Sequence, residues 1–256
     1  MNNSKPFALI TGASAGLGKE FARQLGAQGW NLLLCSRSSE KLASLALKLR
    51  VQSNIDVRTF AVDLSLEDGA HKLWQFVVCE QLEVELLVNN AGSAGGKLLN
   101  GEWAEHRAQL RLMTQSMAEL CHYAIPPMQT RRCGRVINVA SVVGRFAEAR
   151  DSHYGPSKAF AIALSQGLAR EVSGSGVSVM ALCPGFTHTS FHDSLELQAM
   201  KSNTPAWLWY EAETVVREAL QASGAGKSLF ISGRLYRWID PLIRVAWIQK
   251  LLLRGV

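Results

Sequence analysis

The chain has 256 residues, 48% of them hydrophobic and 19% charged, which excludes a disordered or low-complexity protein and suffices for a core that needs no staples. Its five cysteines, Cys35, Cys79, Cys121, Cys133 and Cys183, are odd in number and scattered without a CxxC pair, which argues against a disulfide framework and for a reducing compartment. The net charge of +6 comes from Lys and Arg spread along the whole chain rather than gathered in a stripe, so it reads as solvated surface and not as a nucleic-acid footprint.

The first element is the apolar run FALIT (7–11). The residues before it include no apolar stretch followed by a small-residue cleavage site, and no later run reaches the roughly eighteen residues of a membrane span. A cytoplasmic protein is expected. Six more short runs follow in order: WNLLLCS (30–36), DVRTFAV (56–62), ELLVNN (85–90), RVINVAS (135–141), VSVMALC (177–183) and SLFIS (228–232). Several are apolar throughout, which suits strands buried on both faces of a parallel sheet. Amphipathic stretches such as GKEFARQLGAQG and SLEDGAHKLWQFVVCEQL lie between them. This alternation predicts an α/β fold, a doubly wound, mostly parallel seven-stranded sheet with helices on both faces. With no Pro- or Ser-rich linker and no internal repeat, residues 1–256 are expected to form one domain.

The first run leads into Thr11-Gly12-Ala13-Ser14-Ala15-Gly16-Leu17-Gly18 and then a helical pattern. Glycines there allow a tight turn and let a pyrophosphate approach the N–H groups at the positive end of the helix. A second cluster, QASGAGKS (221–228), looks like a phosphate loop but has Gln221 where a glycine is needed. It also lies between a helix and a strand, the reverse of the required order, so a nucleotide triphosphatase is excluded. Further on, Tyr154 and Lys158 are spaced i, i+4 and share one helix face. Pro156 between them fits only the first turn of a helix, which places the pair at a helix start.

From Thr11 onward the sequence resembles the short-chain dehydrogenase/reductase family over nearly its whole length. The glycine loop matches TGxxxGxG, Asn89-Asn90-Ala91-Gly92 matches NNAG, and Tyr154 to Lys158 matches YxxxK with Ser141 thirteen residues earlier. Pro184-Gly185-Phe186-Thr187-His188-Thr189 matches PGxVxT with Thr for Val. The resemblance implies a Rossmann-type nicotinamide-dependent oxidoreductase in which Ser141, Tyr154 and Lys158 are catalytic. An unperturbed phenol has a pKa near ~10. An ammonium about 4 Å away, at an effective dielectric of about 20, is worth about 4 kcal/mol and could lower that value by up to about 3 units. Tyr154 would then act as general acid/base, Ser141 would hydrogen-bond the substrate oxygen, and Lys158 would also hold the nicotinamide ribose. One departure stands out. The Asn that often completes the family's proton relay aligns with Met113, a weak acceptor and no donor. Gln109, about one turn earlier, is the candidate replacement besides water, and Asn100 lies too early.

The same resemblance implies a cofactor cradle of Gly12, Ser14, Ala15, Gly16, Leu17 and Gly18. Asp63 and Leu64 would meet the adenine, and Asn90, Ala91 and Gly92 the adenosine ribose. Pro184, Gly185, Thr187 and Thr189 would lie at the nicotinamide and phosphates, together with Tyr154 and Lys158. An acid at the end of the second strand would select NAD(H). This chain has Ser36 there, followed by Arg37 and Ser38, groups suited to the extra phosphate of NADP(H), which is the expected cofactor.

The segment at about 186–210 falls where the family varies its substrate lid. Phe191, Leu195, Leu197, Trp207 and Trp209 suggest a hydrophobic carbonyl or alcohol as the small-molecule substrate. His188 and His192 could in principle bind a metal, but without a third ligand they read as lid residues; His153 reads as a helix-start residue. The amphipathic stretch at about 234–254 suits packing on the domain, on a second subunit of a homodimer or homotetramer, or on a membrane surface. A catalytically lapsed nucleotide-binding regulator on the same fold is the competing reading, resting on Met113.

Overall fold

The computed structural model describes residues 5–93, 98–145, 152–189 and 204–243. Seven strands, β1 (Phe7–Thr11), β2 (Asn31–Ser36), β3 (Val57–Ala61), β4 (Val84–Asn89), β5 (Gly134–Val139), β6 (Val177–Cys183) and β9 (Leu229–Ile231), pair in parallel in the order 3-2-1-4-5-6-9. Each lies within two residues of its sequence expectation at either end. A further parallel pair, β7 (Thr187–His188) with β8 (Tyr210–Glu211), was not legible in the pattern.

The apolar runs follow from burial on both faces. Along β1, Ala8 and Ile10 point to one side and Phe7 and Leu9 to the other, as the two-residue period of a strand requires. On the first side they meet α1 (Gly16–Ala27), α2 (Ser39–Ser53) and α7 (Ala212–Gly224) through Phe21, Leu42 and Val216. On the second they meet α3 (Gly69–Cys79) and α5 (Ser116–Arg131) through Leu73 and Leu120. The helix α6 (Tyr154–Glu171) covers β6 and the end of β5.

Strand order reverses between β1 and β4. In such sheets the crevice for a ligand opens outside the carboxyl ends of the strands at that reversal. The glycine loop, Asn90, Ser141 and Pro184-Gly185 all follow strand ends on that side.

Helix α4 (Trp103–Leu110) runs through a π turn at Arg111–Gln115 directly into α5. The last described helix, α8 (Arg234–Ile243), opens the amphipathic stretch; residues 244–256 lie outside the described residues.

Candidate active site

The glycine loop is stitched to the turn after β4. The Thr11 hydroxyl oxygen accepts the amides of Asn90 at 2.9 Å and Ala91 at 3.0 Å. In return the Asn90 side-chain amide donates to the carbonyls of Thr11 and Gly12 at 3.0 and 3.3 Å. The two turns press so closely that a Cβ on Gly18 would stand 2.3 Å from the Gly12 carbonyl oxygen and 2.5 Å from Asn90 Nδ2. Gly12 and Gly16 have φ of 63° and 51°, conformations that side chains rarely take.

At the start of α1, Ala15 supplies no capping side chain, so the first-turn N–H groups face the crevice without an intrahelical partner. Thr189 stands opposite, its Cβ 3.4 Å from where a Gly16 Cβ would be. Ser14, Ala15 and Gly16 remain at least partly exposed, while Leu17 packs on the core. An uncapped helix start faced by a hydroxyl fits a pyrophosphate.

Ser141 follows β5 and is buried. Its hydroxyl oxygen accepts the Val143 amide at 3.2 Å, and its proton points to the Pro184 carbonyl at a long 3.5 Å. The short 3-10 turn Val142–Arg145 rests on the first turns of α6. Gly144 abuts the Lys158 backbone so tightly that a Cβ would come within 2.5 Å of it, and a Cβ on Gly155 would lie 3.6 Å from Val143. Tyr154 is the first residue of α6 and Pro156 the third, as the sequence required. The Lys158 ammonium lies 5.4 Å from the centroid of the Tyr154 ring and donates to the Val139 carbonyl at 2.7 Å. Burial of its charge brings the Lys158 pKa down to about 8. Nothing in the spacing of this residue signals its burial, which is a tertiary fact.

Met113 sits in the π turn, 2% exposed, with its sulfur accepting the Ser93 amide at 3.4 Å. A Cβ on Gly92 would meet that sulfur at 3.0 Å, so the thioether occupies the space beside the Asn90-Ala91-Gly92 turn. π turns of this kind often mark functional sites. Gln109 lies on α4, half-buried.

At the other end of the crevice Arg37 is exposed, and Ser38 caps α2 by accepting the Lys41 amide at 3.3 Å. The Ser36 hydroxyl reaches only the Ser38 carbonyl, at 3.5 Å. Burial disfavours the charge of Asp63. Hydrogen bonds from the Ser65 hydroxyl and amide, with the nearby Arg37 guanidinium, outweigh this and hold its carboxyl below the usual range. The Leu64 side chain is buried in the core, which leaves its main chain for any ligand contact.

Within the expected lid segment, Trp209 is 9% exposed and stacked on Phe186 and His188 at centroid distances of 5.2 and 5.0 Å. Trp207 is exposed. Phe191, His192, Leu195 and Leu197 lie outside the described residues. Among the described residues no cluster of three metal-ligating side chains occurs.

Sequence reasoning missed three features. Tyr236 of α8 covers Gly185 so closely that a Cβ there would enter the ring at 2.0 Å; its hydroxyl accepts the Phe186 amide and donates to the Leu208 carbonyl. Asn138, inside β5, accepts from the Asn89 amide at 2.9 Å and donates to Ser165 of α6. His106 meets His153. Only the leading Thr of the glycine motif hinted at the hub that Thr11 forms.

Residues 6–199 match the family described as short chain dehydrogenase. The chain belongs to that family. It is 35% identical over 189 residues to nodulation protein G of Rhizobium sp. (strain N33), covering 73% of this chain and 76% of that one. It is 30% identical over 228 residues to the rhamnolipids biosynthesis 3-oxoacyl-[acyl-carrier-protein] reductase of Pseudomonas aeruginosa, covering 85% and 88%. Among solved structures, a short-chain dehydrogenase from Sphingobium yanoikuyae in complex with NADPH superposes with a TM-score of 0.83 at 29% identity, over 98% of this chain and 96% of that one. The family, its oxidoreductase chemistry and the parallel Rossmann-type sheet therefore stand together.

Proposed function

We propose that this short-chain dehydrogenase is an NADPH-dependent reductase that converts a carbonyl to an alcohol, or catalyses the reverse, on a hydrophobic small molecule. The observation that carries this reading is the Ser141, Tyr154 and Lys158 corner, with an ammonium held 5.4 Å from the phenol ring at the strand ends where the glycine cradle opens. The bound nicotinamide would supply or take the hydride.

The chain's own residues do the rest. Ser141 holds the substrate oxygen, Tyr154 gives it the proton, and Lys158 makes the phenol acidic enough to do so. Arg37, with no carboxylate at Ser36, favours the phosphorylated cofactor, and the NADPH complex of the Sphingobium relative supports that choice. The main chain of Asn90, Ala91 and Gly92 would line the adenosine ribose. Thr187 and Thr189 would contact the nicotinamide and phosphates, and Asp63 the adenine. We assign the catalytic unit to residues 1–256 as a whole, acting in the cytoplasm as a homodimer or homotetramer.

Replacing Tyr154 with Phe tests the reading. Turnover with NADPH across a panel of ketones should fall by at least about a hundredfold, with NADPH affinity, followed by its fluorescence, within about twofold of the parent. Turnover equal to the parent's would remove the phenol from the chemistry.

A further inference from the structure

Outside the residues already given a role, two imidazoles stand buried at the edge of the site. His153, 1% exposed, immediately precedes Tyr154, and His106, 7% exposed, lies in the first turn of α4. His153 Nε2 and His106 Nδ1 are 2.7 Å apart, and His106 Nε2 is 2.7 Å from the carbonyl oxygen of Asn100. The rings lie nearly parallel, 14° apart, with 4.6 Å between centroids.

The partners fix the proton positions. A backbone carbonyl can only accept, so His106 Nε2 carries a proton. Its Nδ1 in the neutral ring is then an acceptor, and His153 Nε2 must be the donor. The chain of bonds therefore has a direction, from His153 through His106 to Asn100. Burying two polar rings is costly unless they bond each other, and an apolar ring would fill the same space more cheaply.

Position gives the pair its use. The first residues of a helix lack intrahelical partners for their N–H groups and fray readily. Tyr154 is such a residue, and its phenol must stay close to the Lys158 ammonium to be acidified. Lys158 is fixed independently, by the Val139 carbonyl. The phenol is tied down through its neighbour His153, whose ring joins α6 to α4 and whose carbonyl accepts the Ser157 amide at 2.9 Å. His106 also lies seven residues before Met113 along the same continuous rod, and both are buried.

We propose that the His153–His106 hydrogen bond is the positioning element for the Tyr154 phenol, holding the first turn of α6 against the first turn of α4. Neither imidazole touches the reacting atoms in this role. The proposal rests on the reading of Tyr154 as the acid/base.

Two variants separate positioning from packing. His153→Phe keeps a ring and loses the donor, whereas His153→Gln places an amide donor close to where Nε2 stood. The first readout needs no substrate: phenolate absorbance across a pH titration, with the Tyr154→Phe titration subtracted to isolate one of the four tyrosines. In His153→Phe the Tyr154 transition should move by about one pH unit toward the ordinary tyrosine value, and in His153→Gln it should return most of the way. The second readout is turnover of ethyl acetoacetate with NADPH. Here His153→Phe should lose about tenfold or more in kcat with KM for NADPH unchanged, and His153→Gln should recover it.

A folded His153→Phe protein whose Tyr154 transition and kcat match the parent overturns the proposal, as does a Gln variant no better than Phe at equal Tm. If His153→Phe does not fold, His106→Phe is read by the same criteria. A parent that fails to reduce the probe ketone tells against the reductase reading alone, because the phenol titration still decides the pairing.

Discussion

Lys158 shows how a single side chain can be placed by sequence and yet have its chemistry set elsewhere. Its spacing from Tyr154 put both groups on one helix face, but burial decides its charge, with a pKa of about 8. The sign follows directly. Below about pH 8 the side chain is an ammonium and, on the proposed mechanism, would acidify the phenol; above it the ammonium is lost, the phenol would be a weaker acid and proton donation would slow. Reduction measured as kcat/KM should therefore be flat below about pH 8 and about tenfold lower one unit above it. A pH–rate profile checks this, and Lys158→Met should be slow throughout with no break in that range. The family motif also singled out Met113 as a departure, and in the structure its sulfur accepts the Ser93 amide. The His106–His153 contact had no such signal, since residues 47 apart share no periodicity.

Among the elements, the strand–glycine loop–helix unit was the most legible, because backbone geometry dictates its residue types. Gly18 shows why: its missing side chain lets the loop close on the Gly12 carbonyl and on Asn90. Gly18→Ala should cost about 1–3 kcal/mol in denaturant unfolding and weaken NADPH binding at least about tenfold. Gly167, inside α6 with open space around its missing Cβ, is the control. Gly167→Ala should raise stability by about 0.5–1 kcal/mol and leave the cofactor untouched. The π turn at Arg111–Gln115 was invisible in the same stretch. It is a one-residue adjustment in hydrogen bonding that leaves the run of helix-forming residues unchanged.

At the scale of the molecule, the start of the amphipathic C-terminal stretch proves to be docked on the domain through its polar residues. Arg237 pairs with Glu218 of α7 at 3.0 Å, and Asp240 meets Arg145 in a two-pronged contact at 2.6 and 2.7 Å with both side chains largely buried. Trp238, by contrast, is 80% exposed. No described helix is long and apolar enough to cross a membrane. Removing one partner of a buried pair strands the other charge, so Asp240→Ala should destabilise by about 3 kcal/mol and lower Tm by roughly 6–12 °C. Changing both residues to apolar ones, Arg145→Met with Asp240→Leu, should recover part of that loss in the same thermal melt.

The chain by itself determined the α/β alternation, the doubly wound parallel class of the sheet and the places of the glycine loop, Tyr154 and Lys158, while Ser141 stood out only through the family resemblance. Those features rest on local rules: the two-residue period of strands, the glycines a tight turn demands and the one helical position that tolerates Pro156. Tertiary structure alone decided that Lys158 is buried, that Trp209 packs inward, that Tyr236 covers Gly185 and that two distant histidines meet at the start of α6. Each of these depends on which surfaces come together when sheet and helices pack, and no short-range pattern encodes such a meeting.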